Sequence, residues 1–321
     1  MKQHALKATK MGYNPDFISG HTIPLPVPGA RVLRTAFQGG DYIHHSRYSL
    51  IFNQDRGFAT CTAHNIEGDS LSRKQYKSRS FKFDPLIKPN RLQVDKDRGY
   101  RNNPWDQGHI ARRKSMSWGD PVDAAIAERE SDHWSNIAPQ HETLHSNAWG
   151  LIEDWMLKRV EGGKHRACVF GGPVFTEDDP ILQNAPDETP IQIPAGFWKI
   201  ISIELDGAMR SAAFLLWQRD YDHAEPLPFA PVLEQVRLST IEVLTGLGFP
   251  ALRMFDPLLY DRDQNLKVAK KRAKPPKRDT LAWDEFQGIN GPDRSDYKSL
   301  EQYKSALPST TAISDENDIL L

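Results

Sequence analysis

The stretch that decides the fold has three parts. They are Asp106-Gln107-Gly108-His109, then His133-Trp134-Ser135-Asn136-Ile137-Ala138-Pro139-Gln140, then Leu144-His145-Ser146-Asn147-Ala148-Trp149-Gly150-Leu151-Ile152-Glu153. Gly108 permits a tight turn or a close approach to the backbone. His109 follows at once. An imidazole with an ordinary pKa of about 6.5 is largely neutral at pH 7, so on a rigid turn it is a candidate general base. A lone histidine is more often a hydrogen-bonded side chain with no catalytic part, so the neighbouring residues must carry the assignment.

From Thr143 onward the spacing predicts a helix. Pro139 stands before it, Thr143 can cap it and Gly162-Gly163 end it. His145, Trp149 and Glu153 recur every fourth residue and drift along one face. About 12 Å of helical rise separates His145 from Glu153, too far for one coordination shell. His145 can therefore bind a metal directly, with Glu153 reaching it through water. The structural alternative is a polar helix surface anchored by Trp149.

This ordered set resembles the DNA/RNA non-specific endonuclease family, of the ββα-metal type. The family signature is Asp-Arg-Gly-His, then Ser-Asn-x-x-Pro-Gln, then Leu-Asn-x-x-x-Trp-x-x-Leu-Glu. Asp106, Gly108, His109, Ser135, Asn136, Pro139, Gln140, Leu144, Trp149 and Glu153 match it in order. Ser78-Arg79-Ser80-Phe81-Lys82-Phe83-Asp84-Pro85 resembles the family's arginine-bearing Asp-Pro segment. Gly172-Pro173-Val174-Phe175, Ile193-Pro194 and Phe197-Trp198-Lys199 resemble its later strands. The resemblance covers residues 42 to 255.

It implies an α+β fold, a ββα-metal nuclease core whose mostly antiparallel central sheet is flanked by helices. It also implies a metal-dependent endonuclease that hydrolyses DNA and RNA to 5′-phosphate products. His109 would be the general base, Glu153 a group acting through the metal's waters, Arg79 a phosphate clamp and Asn136 a residue that fixes the site. The metal ligand would be His145, at the position where the family has asparagine. Mg²⁺ is the cofactor by resemblance; an imidazole ligand suits Mn²⁺ or Zn²⁺ better. The family's second signature arginine is Gln107 here, and Arg112 and Arg113 are candidates for its charge.

Two other readings compete. His141-Glu142-Thr143-Leu144-His145 formally matches the zinc-protease pattern His-Glu-x-x-His, which needs both histidines on one helix. A non-catalytic nucleic-acid-binding relative would explain Gln107 and His145 but gives His109 and Glu153 no task.

The chain has 321 residues, 39% of them apolar, with a net charge of −1. That supports one large core and excludes a globally basic nucleic-acid binder, so affinity must come from local Arg and Lys clusters. Mean hydropathy of −0.59 and the lack of a long apolar run argue against a membrane span. Cys61 and Cys168 lie in apolar stretches and read as buried thiols.

The expected organisation is an arm over 1–26, the nuclease domain over 27–265 and a basic, then polar, flexible tail over 266–321. Strands are predicted at 47–52, 58–66, 166–175, 197–205 and 210–217. Helices are predicted at 124–130 and 231–246, and a long loop at 67–103. DNA and RNA are the implied partners, with an inhibitor protein and a second copy of the chain as further candidates and no membrane. No classical signal peptide is legible at the N-terminus, which points to a cytoplasmic protein or export by a non-classical route.

Overall fold

In this computed structural model the described residues are 12–72, 80–141, 148–177, 179–183, 189–218, 233–259, 311–313 and 319–320. The strands are β1 Val27–Pro28, β2 Ile43–His44, β3 Tyr48–Asn53, β4 Phe58–Glu67, β5 Trp105–His109, β6 Ile137–His141 and β7 Arg166–Val174. They continue with β8 Ile181–Leu182, β9 Ile191–Gln192, β10 Gly196–Leu205, β11 Ala208–Trp217, β12 Leu233–Val236, β13 Leu247–Gly248 and β14 Thr311–Ile313. The helices are α1 Ala30–Leu33, α2 Lys96–Gly99, α3 Pro121–Ser131, α4 Ala148–Gly162 and α5 Leu238–Thr245.

The predicted hairpin is present. Tyr48 to Asn53 and Phe58 to Ile66 are buried throughout. Asn53 Oδ1 accepts the N–H groups of Asp55 and Arg56, both at 3.0 Å, and so nucleates the turn. From this hairpin grows an eight-stranded antiparallel sheet in the order β14-β12-β11-β10-β7-β4-β3-β2. Because side chains alternate along a strand, each face has its own core. On β10, Phe197 and Ile201 face one core, and Trp198 and Ile200 the other. The first core is closed by Trp149, Ile152, Met156 and Val160 of α4. The second is closed by α5 and by the N-terminal segment, where Tyr13, Ile18 and Ile23 are buried and Tyr13 Oη donates to Ile23 O at 2.8 Å. The α+β class with a mostly antiparallel central sheet is therefore observed.

Several boundaries differ from expectation. The stretch 231–246 is not one helix: Leu233–Val236 pairs with β11, and α5 starts only at Leu238. The cause is tertiary. Asp256 Oδ2 accepts the Leu238 N–H at 2.7 Å, a cap supplied from beyond the helix. Helix α3 is longer than predicted, with Asp120 capping Val122 and Asp123 and Pro121 in the first turn. The 67–103 segment holds α2 as well as loop. Part of the C-terminal stretch read as disordered forms β14, and Gln235 exchanges two hydrogen bonds with the Leu320 backbone, at 2.8 and 2.9 Å. The basic run 267–278 lies outside the described residues. Cys61 and Cys168 are free and buried. No helix among the described residues is long and apolar enough to cross a membrane.

Candidate active site

His109 is expected on a turn, but it is the last residue of β5, which pairs antiparallel with β6 from Trp105↔His141 to His109↔Ile137. Gly108 is needed for a close approach, and what approaches is the Gln140 side chain. A Cβ at position 108 would lie 2.1 Å from Gln140 Cδ. Gln140 is itself buried. Gly108→Ala is expected to lower unfolding stability by about 1–3 kcal/mol, the usual penalty of overpacking. A urea midpoint identical to the parent's would show that Gln140 swings away freely.

The backbone around His109 is tied to the turn after α3. Ile110 N donates to Asn136 O at 2.9 Å, and Asn136 Oδ1 accepts the Ala111 N–H at 2.8 Å. Asn136 Nδ2 donates to Ala111 O and Ser131 O. Asn136 thus spends its whole amide on fixing the chain that carries His109. A second strip, residues 80–84, runs beside this turn. Lys82 N donates to Asp132 O at 3.3 Å, and Trp134 N donates to Lys82 O at 2.9 Å. That strip brings Phe81 to 5.7 Å from the His109 ring, with Phe81 stacked on Trp134 at 5.0 Å.

His109 Nε2 lies 2.9 Å from Asp132 Oδ1. Burial alone would raise the Asp132 pKa. The hydrogen bond and charge of His109, the Arg113 guanidinium and the Ser80 N–H outweigh it and hold the carboxyl below its ordinary value. An ionised carboxylate only accepts, so Nε2 carries the proton and Nδ1 is the proton-accepting nitrogen of neutral His109. Arg113 is a strut: buried, it bonds Glu128 Oε2 at 3.1 Å and sits 3.9 Å from Asp132 Oδ2.

Glu153 lies on α4 and is buried. Lys199 Nζ of β10 donates to its Oε1, and Arg112 Nε lies 3.2 Å from its Oε2. Arg112 also bonds Asp154 Oδ1 at 2.7 Å. Lys199 is fully buried, with Nζ 4.7 Å from the Trp149 ring centroid. Burial pushes the Lys199 ammonium down from its ordinary pKa, and the Glu153 charge pulls it back. Arg112, three residues after His109, thereby links the end of β5 to Glu153. Arg79 and His145 lie outside the described residues. Asp132 and Lys199 were given no role by the sequence, although a lysine inside an apolar strand is itself a sign of a buried counter-charge.

His141 belongs to β6, opposite Trp105. The helical arrangement that the zinc-protease reading requires is therefore not formed. Among the described residues one group of metal-capable side chains converges: His45, Asp84 and His133. Asp84 is held at a pKa of about 2, because its bonds to His45, Ser135 and the Leu86 N–H, with the His45 charge, outweigh the upward push of burial.

The strand pair β5–β6 followed by α4, laid against an antiparallel sheet, is the ββα-metal architecture. Over residues 29–252 the chain matches the DNA/RNA non-specific endonuclease family, and it belongs to that family. It is 29% identical over 238 residues to the uncharacterized protein y4fB of Sinorhizobium fredii, an alignment covering 69% of this chain and 34% of y4fB. It is 29% identical over 209 residues to the nuclease of Serratia marcescens, covering 62% of this chain and 71% of that protein. With mitochondrial endonuclease G of Bos taurus it shares 25% over 176 residues, covering 53% and 54%. The chain thus spans about a third of y4fB and about half of endonuclease G. A crystal structure of an EndoG/EndoGI complex superposes with a TM-score of 0.50 at 21% identity, covering 73% of this chain and 93% of that one.

Proposed function

We propose that this protein is a metal-dependent endonuclease that hydrolyses phosphodiester bonds of DNA and RNA to 5′-phosphate products. The observation that carries the reading is the bond from His109 Nε2 to Asp132 at the end of β5, in a chain of this family. Asp132 fixes the tautomer and Nδ1 accepts the proton of a water. That water's oxygen forms the new bond to phosphorus, the P–O3′ bond breaks, and the departing 3′-oxygen takes a proton from solvent water. No step uses a 2′-hydroxyl, so DNA and RNA are both cut, with little base preference.

His145 would hold the metal. The divalent cation, Mg²⁺ by family resemblance and Mn²⁺ or Zn²⁺ by imidazole chemistry, would supply charge neutralisation at the phosphate and the departing oxygen. The Glu153 carboxylate is held by Lys199 at Oε1 and by Arg112 at Oε2, which is compatible with a role near that cation. Arg79 clamps phosphate. Arg112 takes the charge that the family signature has at Gln107. Its Nη1 has no hydrogen-bond partner among the described residues. An inhibitor protein is a proposed partner by analogy with the EndoG of the complex.

Plasmid degradation that EDTA stops and Mg²⁺, Mn²⁺ or Zn²⁺ restores tests the function. Retarded but uncut DNA in all three metals would favour a nucleic-acid binder instead. Asp132→Asn is expected to lower kcat on the order of 10- to 100-fold with little change in KM, as losing the orienting partner of a histidine does. A carboxylate next to imidazole favours its protonated form, so the acid limb of the pH–rate profile should move to lower pH in the variant. An unshifted limb would show that Asp132 only packs.

A further inference from the structure

We propose that His45, Asp84 and His133 form a second metal site, a structural one, which takes a borderline transition-metal dication of the Zn²⁺ class. The proposal does not rest on the nuclease reading. His45 Nε2 lies 3.0 Å from Asp84 Oδ2, and one ligand atom of each of the three residues lies within 4.8 Å of the others. Around a tetrahedral zinc with bonds near 2.0 Å, neighbouring donors stand about 3.3 Å apart. His45 and Asp84 stand near that separation, and His133 completes the trio by moving toward them.

Three further observations support a cation. First, His133 Nδ1 is buried and has no hydrogen-bond partner among the described residues. A buried nitrogen of that kind is open to a metal or a water. Second, the carboxylate is held as metal-bound carboxylates are: Ser135 Oγ donates to Oδ2 at 2.7 Å and the Leu86 N–H to Oδ1 at 3.0 Å. The His45 ring is stacked on Tyr48 at 4.5 Å. Third, two imidazoles and one carboxylate select Zn²⁺, Mn²⁺ or Fe²⁺ over Mg²⁺. A metal binds an unprotonated imidazole nitrogen, so any proton on His45 Nε2 leaves that atom when the cation binds.

The site is structural because a polymeric phosphate cannot reach it. Asp84 is 0% exposed and His45 3%, and His133 is half-buried. Its three residues come from the β2–β3 connection, the 80–84 strip and the turn after α3. A metal here would clip together three segments that are distant in sequence. The last of them carries both Asp132, which holds His109, and Asn136, which holds Ala111.

The test uses the full chain carrying His145→Ala, so that the catalytic cation does not interfere. The protein is stripped with a chelator and then titrated with Zn²⁺ and Co²⁺, without Mg²⁺. One equivalent should bind, Co²⁺ should show the ligand-field bands of a four-coordinate nitrogen/oxygen site, and Zn²⁺ at 100 times Kd should raise Tm by on the order of 5–10 °C. Adding His133→Phe, which keeps a ring against His45, should abolish all three signals. Binding unchanged by His133→Phe would overturn the proposal. So would zero equivalents and an unmoved Tm in the His145→Ala protein, a result that needs no second variant to fold; the trio would then be a hydrogen-bond network only.

Discussion

His109→Ala should cut plasmid-cleavage rate by on the order of 10²- to 10⁴-fold, the usual loss when a general base is removed. The loss should fall on kcat. The His109 ring bonds Asp132 and packs on Phe81, and the phosphate-binding charge is assigned to Arg79 and Arg112. The fold should survive the change. Asp132 keeps the Ser80 N–H at 3.2 Å and the Arg113 guanidinium at 3.9 Å, so its charge is not stranded. The base works as neutral imidazole, so parental rate should rise with pH through the His109 titration. In the variant that acid limb should be absent, and added imidazole should restore part of the rate. A purified variant that cuts as fast as the parent, at any pH, would end the assignment.

The same residue shows what a sequence does and does not reveal. Strands β3, β4, β10 and β11 were legible because aliphatic and aromatic residues run through them, and β7 was legible from Ala167-Cys168-Val169-Phe170 in spite of Gly171-Gly172-Pro173. Strand β5 was not, because Asp106-Gln107-Gly108-His109 has no alternation; its pairing comes from β6, beyond the whole of α3. The end of α5 was legible at Gly246, whereas its start depends on Asp256, which no local pattern announces. His109, Asn136 and Glu153 stood out through the ordered motif. Their partners did not: Asp132 is 23 residues from His109, and Lys199 is 46 from Glu153. Contacts at such separations are set by sheet register, and register is not written in any one segment.

Glu153→Ala should destabilise the fold by about 3–5 kcal/mol, because it strands a buried cation. Lys199 has no exposed path, and the Trp149 face at 4.7 Å replaces only part of the lost charge. Burial and Arg112 already push the Lys199 pKa down, while the charge and hydrogen bond of Glu153 pull it up. Without Glu153 the ammonium pKa falls further below its unfolded value. The native state then binds fewer protons than the unfolded state between those two pKa values, so stability must rise with pH across that window. Denaturant midpoints of the variant should therefore climb on going from neutral to alkaline pH, starting at lower pH than any climb in the parent. His64 adds no second positive charge there, since burial and Lys199 hold its pKa at about 3. The pair Glu153→Leu with Lys199→Met should recover most of the stability, because apolar residues often replace a buried ion pair without loss. It should not recover cleavage, because Arg112 would lose the carboxylate oxygen 3.2 Å from its Nε and with it a fixed position beside the end of β5. A single variant that loses less than about 1 kcal/mol would place the pair in solvent rather than in the core. A double variant that regained cleavage would confine Glu153 to folding and remove it from the active site.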